Sequence, residues 1–225
     1  MMGARGAVWG GCLAGVLLAA PATAQAGREA RVELAAGLGW RGAVHFPSVT
    51  ATEVGPNDKV VPVFQTASSL DASPGLVVNV GARLSRRLAI ESTLSMNRTQ
   101  LSVAISNDVE GVPNLTASEP VTQYLVEGGI RLAMPRRHRA AFEPFLAAGG
   151  GYLRQLNEGQ TLINTGSSIY AGGGAHYWLR RGGRGWIESS GIRIDARVSV
   201  LNGGVAIDGG RHAAPVVGVG LFFRF

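Results

Sequence analysis

The sequence predicts an all-β fold, an eight-stranded antiparallel up-and-down transmembrane β-barrel, and three observations support this prediction. Eight segments of about ten residues alternate apolar residues with small or polar ones. Long and short connections alternate between these segments. Beyond residue 26 no apolar run reaches the ~18 residues that a transmembrane helix needs. A barrel in lipid would turn its apolar residues outward and its small or polar residues inward.

The composition agrees with a lipid-facing surface around a narrow lumen. Charged residues make up 16% of the chain, against roughly 25% in average soluble domains. Glycine contributes 33 of 225 residues, about twice its usual share. The net charge of +6 comes from arginines scattered among strands and turns, together with Lys59. Because no basic helix or aromatic-basic platform is present, we expect no nucleic-acid partner.

The N-terminus has the pattern of a secretory signal peptide. An apolar stretch at 7–20 follows a basic residue and is too short to cross a membrane. Small residues then offer cleavage after Ala26, which we favour, or after Ala24. We therefore predict a signal peptide at 1–26 and one barrel domain at 27–225.

Alternating polarity is clearest in the first and seventh segments. In the first, Leu34, Leu38 and Trp40 share one face, while Glu33 and Arg41 lie on the other. The glycine-rich fifth and sixth segments leave their faces open, because glycine has no side chain to assign. The predicted strands lie near 31–41, 76–84, 88–97, 123–132, 142–154, 168–179, 192–200 and 215–225.

The connections orient the predicted barrel. Long ones lie near 47–74, 104–120, 155–167 and 202–212, and shorter ones at 85–87, 133–141 and 180–190. Outer-membrane barrels have short periplasmic turns and long extracellular loops, so we expect both termini in the periplasm. The short turns are also basic, as expected beside anionic lipid headgroups. Their arginines are Arg86, Arg87, Arg136, Arg137, Arg139, Arg180, Arg181 and Arg184.

The second and third segments predict a hairpin register. Leu84 and Leu88 both belong to the lipid face, so they can face each other across a three-residue turn. Counting inward places Gly81 opposite Glu91 and makes Arg83 a diagonal neighbour of Glu91. Because diagonal Cβ atoms are roughly 7–8 Å apart, we expect Arg83 to reach that carboxylate.

Inward positions carry charges of both signs, which predicts a salt-bridged lumen. Charges enclosed by a barrel must be paired or hydrated. An eight-stranded barrel is just wide enough for side chains to fill it, so a plug is favoured over a gated pore. The predicted network comprises Glu33, Arg83, Glu91, Glu127, Arg131, Arg193, Asp195 and Arg197.

Three stretches resemble the eight-stranded outer-membrane barrel family typified by OmpA and OmpX. They are Leu84–Glu91, Glu143–Tyr152 and Gly220–Phe225. The resemblance implies this fold and an outer-membrane location, among outer-membrane lipids, without implying an activity. The last stretch resembles the C-terminal signal read by the barrel assembly machinery, although Gly218 stands where a polar residue is usual. The matching residues are Gly220, Phe223 and Phe225.

Candidate catalytic and cofactor motifs find little support. Gly37–Gly42 spells G-x-G-x-x-G, but no helical pattern follows it, as a dinucleotide site requires. None of the four histidines has a serine two residues later, as in barrels that deacylate lipid A, and no pair has metal-ligand spacing. We assign His176, beside Tyr177 and Trp178, to an interfacial aromatic belt. No cofactor and no metal are expected.

The sequence thus favours a monomeric, non-catalytic outer-membrane protein with a structural or loop-display role at the cell surface. The first long loop contains Lys59–Gln65, which could extend strands above the membrane and form a binding surface. Two alternatives stay open: a narrow channel for small solutes or ions, and a lipid-modifying outer-membrane enzyme.

Overall fold

The computed structural model describes residues 32–54, 58–107, 109, 113–135, 141–157, 162–182, 186–205 and 210–225. The predicted signal peptide and Arg136, Arg137, Arg139, His138 and Arg184 lie outside these ranges. Eleven strands occupy the described chain: β1 (Val32–Arg41), β2 (Val44–His45), β3 (Val49–Val54), β4 (Val60–Leu70), β5 (Ser73–Arg83), β6 (Leu88–Ser106), β7 (Leu115–Ala133), β8 (Phe142–Asn157), β9 (Leu162–Arg181), β10 (Ser189–Gly203) and β11 (Arg211–Arg224). Within the same ranges, no helix has the length and apolar character needed to traverse a bilayer.

Eight of these strands close into one antiparallel ring, which confirms the predicted fold class. The order is β1, β5, β6, β7, β8, β9, β10 and β11, and β11 pairs with β1 to complete the circle. At this closure Glu33 lies opposite Arg224. Closure satisfies the backbone hydrogen-bonding groups of both terminal strands, so the ring has no open edge.

The two faces of the ring follow the predicted alternation. In β1, Leu38 and Trp40 point outward with 62% and 44% of their surface exposed, whereas Glu33 and Arg41 point inward with 2% and 7% exposed. On β7 the outward band runs from Tyr124 to Leu132, nine residues, which matches the length of a membrane-crossing strand. Outward aromatic rings mark both ends of the band: Trp40, Tyr124 and Tyr152 at one end, and Phe142, Tyr177 and Phe225 at the other.

The structure assigns faces to the two glycine-rich strands. Phe145 of β8 and Tyr170 of β9 point into the lumen and are 2% and 5% exposed. The Tyr170 ring lies over Gly129 and Gly149, where an added Cβ would collide with it. The glycines therefore make room for an aromatic ring in a narrow lumen.

The hairpin between β5 and β6 has the predicted register. Gly81 lies opposite Glu91, and Leu84 donates its backbone N–H to the carbonyl of Leu88 at 2.9 Å. The Ser85 hydroxyl accepts from the backbone N–H of Leu88 at 3.0 Å and so fixes the turn. The outward positions of Leu84 and Leu88 were therefore sufficient to predict how β5 and β6 pair.

The long connections are more ordered than predicted. The 47–74 connection contains β3 and β4, and the strands β6 to β9 continue well into the predicted loops. β3 pairs with β4, and β4 pairs with the upper end of β6, from Gln65 opposite Ser106 to Leu70 opposite Leu101. We call β3, β4 and residues 101–106 and 115–120 the extension sheet. Its outward rows are mainly Ser, Thr and Ala, whereas Leu101, Val103 and Ile105 take inward positions, so these strands lack the outward apolar residues that predicted the membrane-crossing segments.

Candidate functional site in the barrel lumen

Glu33 is the central charged residue of the lumen at the end of the ring where β1 begins and β11 ends. Its carboxylate accepts from Nη1 of Arg131 and, at 2.6 Å, from Nε of Arg224. The His176 ring nitrogen Nε2 lies 3.0 Å from the same carboxylate. All four side chains are almost fully buried. Two guanidinium groups and an imidazole thus compensate one buried carboxylate.

Glu91 forms the second carboxylate of this cluster. Arg193 donates to both its oxygens, at 2.6 and 2.8 Å, which is the bidentate geometry that guanidinium favours. Arg131 lies 3.3 Å from Glu91 and so connects the two carboxylates. Arg224 also donates to Glu143 at 3.2 Å, and we define the charge cluster as Glu33, Glu91, Arg131, Glu143, His176, Arg193 and Arg224.

Glu127 forms a separate group farther along the lumen. Arg197 lies 3.0 Å from its carboxylate, and the Ser168 hydroxyl donates to it at 3.0 Å. Arg197 also stacks over the Tyr170 ring, 4.8 Å from the centroid. Asp195 lies 3.5 Å from Arg193 and so belongs with the edge of the charge cluster. All eight charged residues predicted for the lumen therefore take inward positions, and all but Arg83 fall into two groups rather than one network.

The predicted pairing of Arg83 with Glu91 is wrong. Arg83 instead lies 3.8 Å from Glu143, and its side chain is 23% exposed at the lumen end. The register was correct, but Arg193 and Arg131 reach Glu91 from other strands and occupy its oxygens. In a narrow lumen, a long side chain reaches across as easily as along the hairpin.

The assignment of His176 and Trp178 to an aromatic belt is also wrong, since only Tyr177 of this stretch faces outward. His176 is 1% exposed and Trp178 9% exposed, both inside the ring. Their rings surround Phe222, with centroids 4.5 and 5.0 Å away. The glycine-rich flank of β9 concealed the parity of this stretch.

Three members of the charge cluster were absent from the predicted network: Glu143, His176 and Arg224. Arg224 shares its parity with the inward Gly218 and Gly220, so the alternation of β11 could have identified it. The signal for Glu143 and His176 was weaker, because the glycines of β8 and β9 do not distinguish the faces.

Aromatic rings pack against the arginines of the charge cluster. Phe145 lies beneath Arg131 and Arg193, with guanidinium carbons 5.5 and 5.0 Å from its centroid. Arg224 lies 4.3 Å from the Trp178 centroid. Such cation–π contacts strengthen when water is excluded, so the rings seal and stabilise the cluster together.

Apolar side chains fill the opposite end of the lumen. One cluster, which we call the mouth plug, consists of Val44, Phe46, Leu70, Val121, Val205 and Ala214. Below it Leu125, Leu153 and Leu201 pack together. At the other end a cavity beside Arg83, Glu143 and His176 measures only about 10 Å³, room for about one water molecule. Within the described ranges, no group of three or more His, Cys, Asp or Glu side chains could hold a metal ion.

Two solved structures share this fold. The outer membrane protein OprG from Pseudomonas aeruginosa aligns with a TM-score of 0.51 and 12% identity over 87% of this chain and 97% of that one. Neisserial surface protein A (NspA) aligns with a TM-score of 0.54 and 9% identity over 86% of this chain and 97% of that one. No family model and no curated protein matches the chain. With its closed ring of eight strands, the chain thus has the fold of the eight-stranded outer-membrane β-barrels.

Proposed function

We propose that this protein is a non-catalytic barrel of the outer membrane, exported by residues 1–26, that holds its termini in the periplasm and displays the extension sheet at the cell surface. The likeness to two outer-membrane barrels supports the location. The segregation of arginine to the short connections supports the orientation. In this orientation the mouth plug is extracellular and the charge cluster periplasmic.

The extension sheet is the observation that carries the display role. β6 and β7 pair as far as Ile105 and Leu115, well beyond the apolar band, and β3 and β4 widen the sheet. Val54, Val60 and Leu115 expose 66%, 63% and 62% of their surface. Ordered strands with exposed apolar side chains above a membrane are suited to contacting another molecule.

The side chains that fill the lumen favour a closed barrel over a pore. The charge cluster crosses one end, and the mouth plug fills the other. His176 Nε2 lies within hydrogen-bond distance of Glu33 and Arg131 inside the ring, so this histidine is not presented to lipid. These contacts favour a non-catalytic, non-conducting barrel over the channel and the lipid-modifying enzyme.

Single cysteines would test the orientation. The only natural cysteine, Cys12, lies in the predicted signal peptide, so Thr50→Cys in β3 and Ser85→Cys in the short turn would each carry one thiol after cleavage. An impermeant maleimide added to intact cells should label Thr50→Cys, and should label Ser85→Cys only after the outer membrane is permeabilised. The reverse pattern would refute the proposed orientation.

Planar-bilayer recordings would test the closed lumen. The purified protein should show no step conductance, because the charge cluster and the mouth plug fill the two ends of the lumen. Stable unit openings in the unmodified protein would favour the channel instead.

The C-terminal residues should direct assembly. Phe225 is 40% exposed at the end of β11, and Phe223 shares its outward face. Gly220 packs close to the backbone of Ala36 at the ring closure. We expect Phe225→Asp to reduce folded protein in the membrane severalfold, measured as the heat-modifiable band in unboiled gels. Normal levels would contradict a role in assembly.

A further inference from the structure

A pair of arginines, Arg98 and Arg154, points outward just beyond the apolar band, at the end from which the extension sheet rises. Arg98 of β6 and Arg154 of β8 are exposed and share the outward face with the apolar band. Among the described residues neither forms an ion pair or a hydrogen bond with another side chain. Their position on the outer wall leaves both guanidinium groups available to a ligand outside the protein.

The register brings these arginines to the same short stretch of β7. Arg154 lies directly opposite Tyr124, and Arg98 lies opposite Thr122, one outward position farther along the strand. Arg98 and Arg154 are two strand spacings apart, each about 4.8 Å. Side chains as long as arginine can therefore converge over β7, with the Tyr124 ring between them.

The surroundings fit a lipid headgroup rather than a protein carboxylate. Immediately below lie Met96, Val126 and Tyr152, which belong to the apolar band. The neighbouring outward positions in the described chain are neutral: Gln100, Pro120, Leu156 and Thr165. The pair thus stands where acyl chains give way to headgroups, and no acidic side chain occupies these neighbouring outward positions of the described residues.

We propose that Arg98, Arg154 and Tyr124 form a site on the outer wall for the phosphate of a phosphorylated glycolipid of the outer leaflet. Guanidinium groups bind phosphate in bidentate geometry, and a tyrosine hydroxyl supplies a further donor. The acyl chains would lie along the apolar band below. The choice of leaflet rests on the proposed orientation, whereas the affinity for phosphate rests on the side chains alone.

Binding to the purified barrel would test the site. The folded protein in mild detergent is titrated with bisphosphorylated lipid A, and bound lipid is counted by native mass spectrometry. Arg98→Ser combined with Arg154→Ser should weaken binding at least about tenfold, since each basic side chain contributes about a further factor of five near an anionic surface. Arg211→Ser is the matched control, because Arg211 is exposed at the same end of the ring, on β11.

The outcomes separate the assignment from its alternatives. Lysine at both positions keeps the charge and should retain an intermediate affinity, which also guards against loss of folding. Unchanged binding by the double serine variant, or an equal loss in Arg211→Ser, would overturn the site. Equal binding of phosphatidylglycerol, or of dephosphorylated lipid A, would overturn the assignment to a phosphorylated glycolipid. Titration in detergent does not depend on orientation. Reversed cysteine labelling would therefore refute the assignment to the outer leaflet, while the titration would still test the phosphate site.

Discussion

The two ends of the lumen are filled by different kinds of side chain. At the end with the chain termini, ion pairs and cation–π contacts fill the ring, and nearly every charge there has a partner on another strand. At the other end, the aliphatic and aromatic side chains of the mouth plug fill the lumen, with the buried Arg41 at the adjoining end of β1. Buried charges are tolerated only in compensated sets, whereas apolar side chains can be removed singly. The two ends should therefore respond very differently to substitution.

The largest loss should come from Glu33. Replacing it by alanine leaves Arg131 and Arg224 buried with less negative charge, which should lower the free energy of unfolding by about 3–5 kcal/mol. Urea unfolding in detergent, followed by the gel shift of unboiled samples, would measure it. Glu53→Ala, at an exposed position in β3, is the control. A loss below 1 kcal/mol at Glu33 would mean that the charge cluster does not hold the ring.

A smaller loss is expected at the apolar end. Leu125 is 1% exposed between Leu153 and Leu201, so Leu125→Ala should cost about 2–4 kcal/mol through lost contacts and a cavity. The same unfolding assay applies. Because Leu125 and Glu33 share no partner, the two losses should add in the double variant. Strong coupling would show that the two ends do not act independently.

Glycine substitutions would test how tightly the middle of the lumen is packed. A Cβ on Gly129 would collide with the Tyr170 hydroxyl and the backbone of Ala148, so Gly129→Ala should cost about 1–3 kcal/mol. Gly81→Ala is the matched control, since its nearest atom would be 3.6 Å away. Similar effects at the two positions would contradict the packing of Tyr170 over the glycines.

The smallest effect should be that of Arg83. Among the described residues Arg83 forms an ion pair with Glu143 at 3.8 Å, and the Arg83 side chain is partly exposed. Arg83→Ala should therefore change the free energy of unfolding by no more than about 1 kcal/mol. A loss as large as that of Glu33→Ala would place Arg83 inside the charge cluster after all.

The ring could be predicted from sequence because lipid imposes a strict rule on one face. Every second residue of a crossing strand must be apolar, so Leu84 and Leu88 fixed a register that the structure confirms. Above the membrane that rule ends. The outward rows of the extension sheet are mainly Ser, Thr and Ala, so no outward apolar residues marked these strands in the sequence.

Partners across the lumen were harder to predict than neighbours along the sheet. Strand pairing indicates which residues adjoin Glu91, but Arg193 belongs to β10, far around the ring. Finding it requires knowing how the side chains fill the interior. The glycines of β9 added a second obstacle, because they concealed that His176 points inward.

The Glu33–Arg224 pair can form only at the folding step that closes the ring. These residues are separated by 191 positions, and they meet only when the last strand docks on the first. Until then Glu33 lacks one of its compensating guanidinium groups, so the charge cluster stays incomplete while this seam is open. The pairing of β11 with β1 therefore closes the ring and forms this ion pair in one step. A barrel in which these two strands are unpaired keeps Glu33 and Arg224 without each other at its open edge.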